Sequence, residues 1–64
     1  MQFLINDMTC SHCVGAVTKA VQAVDAAADV RIDLAARIAT VASSAETARI
    51  ADAIRDAGYT PQPV

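Results

Sequence analysis

The sequence predicts an α+β fold, two helices on one face of a four-stranded antiparallel sheet, on three observations. Two segments, near residues 12–24 and 45–57, carry apolar residues at helical spacing, and four short segments read as strands. Their order is strand, helix, strand, strand, helix, strand, the split βαβ arrangement of a ferredoxin-like sandwich. With 64 residues and no linker or low-complexity stretch, the chain is expected to be one domain, residues 1–64.

Phe3 and Ile5 alternate with Gln2, Leu4 and Asn6, which predicts a strand of period two that Asn6-Asp7 breaks. Ser11 is the expected N-cap of a helix from His12 to about Val24. Val14, Val17, Val21 and Val24 share one face of it, and Ala16, Ala20 and Ala23 support it by propensity. The valines resist a helix slightly, so packing must help. Asp25 to Asp29 ends the helix without a glycine. Val30, Ile32 and Leu34 alternate with Arg31 and Asp33 as a half-buried strand, and Ala35-Ala36-Arg37 is a turn by position. The next strand, Ile38 to Ala42, is expected to turn Ala39 and Val41 inward. Ser43-Ser44 is the expected cap of a second helix, Ala45 to Ala57, with Ile50, Ile54 and Ala57 buried. Its wet face carries Arg49, Asp52, Arg55 and Asp56, and Gly58 is a good C-cap. Tyr59 to Val64 closes the chain as a strand that Pro61 and Pro63 confine to a sheet edge.

Composition narrows the function. A chain this short buries only about 60% of its unfolded surface. Hydrophobic residues make up 55% of it, but many are alanines and only Phe3 and Tyr59 are aromatic. The core should be small and aliphatic. Net charge is −2, and Lys19, Arg31, Arg37, Arg49 and Arg55 are scattered, so no basic stripe exists for nucleic acid. The longest uncharged stretch, Met8 to Thr18, is too short for membrane insertion. No basic region precedes the short apolar opening, so no signal peptide is read and a soluble, cytoplasmic protein is expected.

The chemistry sits in Met8-Thr9-Cys10-Ser11-His12-Cys13. Both cysteines of the chain, Cys10 and Cys13, are three apart directly behind the first strand. A disulfide there would close a tiny loop and stabilise little, which favours a thiol or metal role in a reducing compartment. A closed zinc site wants four ligands, and the chain has one histidine, His12, and no second cysteine pair. Two thiolates instead suit a soft ion that accepts low coordination, Cu(I) in particular. Placed at a helix start, Cys13 should have a lowered pKa. Near the surface, a partner's thiolate could join the ion before an original one leaves.

Met8 is either a thioether ligand or, the preferred reading, packing beneath the loop. His12 tunes the thiolates, meets a third ligand position or is a solvated bystander. Tyr59 is a half-buried aromatic at a strand end or works at the metal. Gly15 leaves the first helical turn bare, and Ser11, Gly15, Lys19 and Tyr59 form the surface where a target would dock. A thiol oxidoreductase is the rival reading, since C-x-x-C is also a redox spacing. It predicts a longer α/β domain and a proline between the cysteines, where this chain has Ser11 and His12, so no enzyme is expected. An incidental thiol pair would bind no metal tightly.

Met8-Thr9-Cys10-Ser11-His12-Cys13, the valine-rich helix and Ala57-Gly58-Tyr59 resemble the heavy-metal-associated domain family over essentially the whole chain. That family comprises copper chaperones, amino-terminal domains of copper-exporting P-type ATPases, and mercury-binding relatives. The resemblance implies the βαββαβ fold, Cys10 and Cys13 as metal ligands and Met8 as packing below the loop. It matches Tyr59 to a tyrosine that bacterial members place near the metal. Thr9 looks like the copper branch, since zinc- and cadmium-type members often carry aspartate there, and His12 resembles bacterial CopZ-type copper chaperones. Asp7 departs from the family's usual glycine, as do Ala26-Ala27-Ala28 and Ala35-Ala36-Arg37 in two turns. The cargo expected is Cu(I), with Ag(I), Hg(II) or Zn(II) binding in vitro. The implied partner is a copper-transporting P-type ATPase domain or a copper-responsive repressor. The start at Met1 favours a standalone monomer, with a copper-bridged dimer as the alternative state. An ATPase metal-binding domain and a mercury or other soft-metal carrier are the alternative functions.

Overall fold

In the computed structural model, which describes all 64 residues, the element order is the expected one. The elements are β1 (Gln2–Ile5), α1 (Ser11–Val24), β2 (Asp29–Asp33), β3 (Ile38–Ala42), α2 (Thr47–Asp56) and β4 (Pro61–Pro63). The four strands form one antiparallel sheet in the order β2-β3-β1-β4. β4 lies at an edge, as its prolines require, because there the missing N–H groups break no interior ladder.

Register explains the single buried face. Phe3 lies opposite Ala39 and Pro63, and Ala39 opposite Ile32. Ile5 lies opposite Pro61, and Val41 opposite Val30. Val17 and Val21 of α1 and Ile50, Ala51 and Ile54 of α2 pack on this row, with Met8 and Ala28 at its ends. Phe3 is the only aromatic in that fully buried cluster, so close aliphatic packing carries the core. Residues one step out of phase face water, where the Gln2 amide donates to the Thr40 hydroxyl at 3.3 Å.

Several boundaries move, each for a local reason. Ser11 is the first helical residue rather than the N-cap. Cys10 takes that place with extended backbone (φ −150°, ψ 168°), and its carbonyl accepts from the Cys13 and Val14 amides. α2 begins at Thr47, because Ser43 Oγ accepts the Ala45 amide at 3.0 Å and closes a turn outside the helix. Glu46, not Ser44, is its N-cap. Ala57 is exposed as the C-cap, and Ala51 occupies the buried position expected of it. β2 starts one residue early, at Asp29, and Leu34 joins the following turn. That turn forms without glycine because Arg37 itself adopts the left-handed conformation (φ 58°). The Asp33 carboxylate accepts the Ala36 amide and helps fix it. β1 ends at Ile5, and β4 is three residues long, so Tyr59 and Thr60 belong to the loop before it.

Candidate metal centre

Three connections converge at one pole: the cysteine loop (residues 6–10), the β2–β3 turn and the α2–β4 loop. Backbone bonds hold their roots together. Ile5 donates to the Arg37 carbonyl at 2.8 Å, and Met8 donates back to Ile5 at 3.1 Å. Met8, with no exposed surface, anchors the loop in the core. A thioether so placed is packing, and its sulfur is not presented at the surface.

Cys10 is exposed and Cys13 half-buried, both as free thiols, with their sulfurs 3.5 Å apart. The pair meets because Cys10 ends the loop at the N-cap while Cys13 is the third helical residue. No side chain caps α1 and no acidic residue lies in its first turn. The partial positive end of the helix is therefore left open to anionic sulfur.

Tyr59 reaches the same place through the end of α2. Gly58, at φ 98°, donates to the Arg55 carbonyl at 2.9 Å, and Tyr59 donates to Ile54 at 3.3 Å. These are the two bonds of a Schellman ending, which turns the chain at a left-handed glycine and sends the next side chain back toward the core. The half-buried Tyr59 is thereby brought beside Cys13. Its hydroxyl is the largest influence on the Cys13 thiol, although the pair does not reach the geometry of a fully directed hydrogen bond. With the Thr9 backbone and the Cys10 sulfur it lowers the Cys13 pKa from the ordinary 9.0 to about 7, against a smaller upward push from burial. The same contact acts in reverse on Tyr59, raising its pKa, with burial and the charges of Cys13, Cys10 and Asp7 adding to it.

The other singled-out residues lie to one side. Ser11, His12, Gly15 and Lys19, with Ala16, line a shallow groove along α1. His12 does not join the two cysteines in a ligand set, for no cluster of three His, Cys, Asp or Glu side chains exists in the chain. An added Cβ at Gly15 would meet nothing within 4 Å, so its bareness leaves open surface rather than relieving a clash. Two contacts escape a reading of the sequence. Asp7 Oδ1 accepts the Thr60 amide at 3.2 Å, and Arg37 Nη1 donates to the Asn6 carbonyl at 3.2 Å. Asp7 stands out as an unusual residue, but nothing local indicates a partner 53 positions away.

Comparison with known proteins identifies the family and agrees with the fold. The family model of the heavy-metal-associated domain matches residues 2–60. A copper-transporting ATPase of Rhizobium meliloti is 43% identical over 60 residues, 91% of this chain and 7% of the ATPase. The chain thus spans a small fraction of that relative's length. Among solved structures, a gold-binding protein shares 44% identity at a TM-score of 0.93, covering 97% of this chain and 95% of that one. The copper chaperone Atx1 of Synechocystis PCC6803 shares 37% identity at a TM-score of 0.94, with coverage of 97% and 98%.

Proposed function

The chain belongs to the heavy-metal-associated domain family, and on that premise we propose that it carries Cu(I) between Cys10 and Cys13 and hands it on by thiolate exchange. The observation that carries this reading is the pair of free sulfurs 3.5 Å apart, one exposed and one half-buried, at an uncapped helix start, with no third ligand from the chain. With thiolate–metal bonds of about 2.3 Å, the zinc value, a linear S–metal–S unit spans about 4.6 Å. Starting from 3.5 Å, the sulfurs need to part by about 1 Å to reach that span, which rotation of the exposed Cys10 side chain supplies. Two anionic sulfurs around one Cu(I) leave a net negative unit, and the helix dipole stabilises it. Cys13, with its pKa at about 7, loses its proton on loading at little cost.

Transfer follows from exposure. A partner's thiolate adds to Cu(I), then one Cu–S bond to this chain breaks and the freed sulfur leaves as thiolate, to be reprotonated by water. The metal stays monovalent throughout, so no oxidant or reductant is needed. The partner of choice is the metal-binding domain of a copper-transporting ATPase, a reading supported by the likeness to such an ATPase; a copper-responsive repressor is the other candidate. Docking uses the groove of Ser11, Gly15 and Lys19 beside the cysteines. The protein acts as a cytoplasmic carrier, monomeric unless Cu(I) bridges two copies. A second reading, a domain of an ATPase itself, has the same support and the same chemistry. The resemblance to a gold-binding protein favours Ag(I) and other soft ions as competitors over Zn(II).

The test is an anaerobic titration of reduced protein with Cu(I) against a chromogenic Cu(I) chelator, beside a Zn(II) titration. One Cu(I) held in competition, with weak zinc, is the expected result. Failure to compete would end the carrier reading and leave a zinc or redox role, between which the thiol–disulfide potential decides.

A further inference from the structure

Tyr59 owes its place to two neighbouring peptide groups, and different elements hold them. Its own N–H is bound by Ile54 at the end of α2, and the next N–H, of Thr60, is bound by the Asp7 carboxylate at 3.2 Å. Asp7 sits in the Asn6-Asp7 turn, three residues before Cys10. Arg37 grips the opposite side of that turn through the Asn6 carbonyl, and the Met8–Ile5 bond closes it. The turn is thus fixed to both neighbouring connections. Asp7 is the only side chain of the cysteine loop that hydrogen-bonds the segment carrying Tyr59.

We propose that Asp7 is a positioning residue: by holding the Thr60 amide it locks the Tyr59 loop to the cysteine loop, fixes the phenol beside Cys13 and so slows the loss of Cu(I). The rate clause rests on the carrier function proposed above; the positioning clause does not. The lock needs an acceptor at this position and not a charge. Asn at position 7 keeps an oxygen in the same place and should preserve it, whereas Ala removes it. The effect should also travel through Tyr59 alone. A phenol that is already absent cannot be misplaced.

The experiment uses the full chain as wild type, D7A and D7N, each also with Y59F. Tyr59 is the only tyrosine and there is no tryptophan, so emission reports this one ring. In the reduced metal-free protein, D7A should speed exchange of the Thr60 amide about fivefold, the loss of one ordinary hydrogen bond, and raise Tyr59 emission as the ring leaves the sulfur. D7N, which keeps the acceptor but loses its charge, should stay nearer wild type than D7A in both. After loading with Cu(I), D7A should release the ion to a chelator about fivefold faster by the same measure, and D7A in the Y59F background should add nothing to Y59F alone. Equal acceleration with and without the phenol would overturn the proposal, as would D7N behaving like D7A or unchanged Thr60 exchange in D7A. A wild-type protein that holds no Cu(I) would remove the carrier function and the rate clause with it. Thr60 exchange and Tyr59 emission would then still decide whether Asp7 holds Tyr59.

Discussion

The two poles of the molecule are closed by the same device and differ in what they leave open. At the pole away from the cysteines, Asp25 accepts the Ala27 amide at 3.0 Å and the Ser43 hydroxyl at 2.6 Å, while Ser43 accepts the Ala45 amide. Those bonds tie the end of α1 to the approach to α2, whose N-cap Glu46 makes no side-chain capping bond. At the cysteine pole Asp7 and Arg37 make similar cross-links. The helix start between them is likewise uncapped, but it is given to a sulfur. Forgoing the usual cap costs about 1 kcal/mol of helix stability and leaves donors aimed at whatever anion assembles there. Both helix starts lack a side-chain cap, so what sets the cysteine pole apart is the pair of free sulfurs 3.5 Å apart at its helix start.

The largest way to break this asymmetry is to remove a sulfur. Cys10→Ser or Cys13→Ser should lower Cu(I) affinity by more than the roughly 10- to 100-fold that loss of an outer-shell group costs. The measurement is chelator competition, and the fold should survive by circular dichroism. Cu(I) held as tightly as in wild type would refute the ligand assignment. Met8→Ala comes next, because it empties a fully buried site beneath the loop. It should cost about 2–5 kcal/mol of folding stability in denaturant titration, a large share for a domain this small.

Gly58→Ala tests how Tyr59 is aimed. With φ at 98° an alanine is strained there, so a loss of about 1 kcal/mol is expected, with weaker coupling of Tyr59 to Cys13. The β2–β3 turn offers the opposite sign. Arg37 already pays for a left-handed backbone at φ 58°, so Arg37→Gly should gain up to about 1 kcal/mol, less whatever its bond to Asn6 contributes. A thermal melt that fell instead would show the guanidinium bond to outweigh the strain.

The smallest effects separate the poles by pH. Cys13 has its pKa depressed in the folded state, so the stability it contributes is complete above its ordinary 9.0 and is lost as pH falls through about 7. Asp25 is also depressed, chiefly by the Ser43 hydroxyl, so its contribution is complete above 3.8 and is lost below that as the folded carboxylate takes up its proton. In the reduced, metal-free protein Tyr59→Phe should flatten the slope between pH 7 and 9 and leave the acid limb alone. Ser43→Ala should do the reverse. Both slopes responding to one substitution would mean that the poles are coupled through the helices.

Much of the fold is legible because it rests on short-range pattern. The period-two run of Phe3 and Ile5, the valine stripe of α1 and the prolines of β4 each name a face or an edge without help from the rest of the chain. Helix starts were less legible. Ser11 and Ser43-Ser44 are good caps by composition, yet Cys10 and Glu46 take the cap positions. Which hydroxyl caps and which closes a turn depends on where the incoming strand releases the chain. Ala57 fails as a buried position for a related reason, since α2 ends one residue before it and turns away at Gly58.

The cysteine pair was visible from spacing alone, because two residues three apart at a loop–helix junction have few ways not to meet. Sequence by itself therefore determined the element order, the buried faces and the two sulfurs. The family resemblance already put Tyr59 near the metal; only the tertiary structure decided that Asp7 holds Thr60 and that Arg37 grips Asn6. Those contacts join residues 31 to 53 positions apart, and no periodicity or local propensity encodes a pairing that exists only once sheet order brings three loops to one pole.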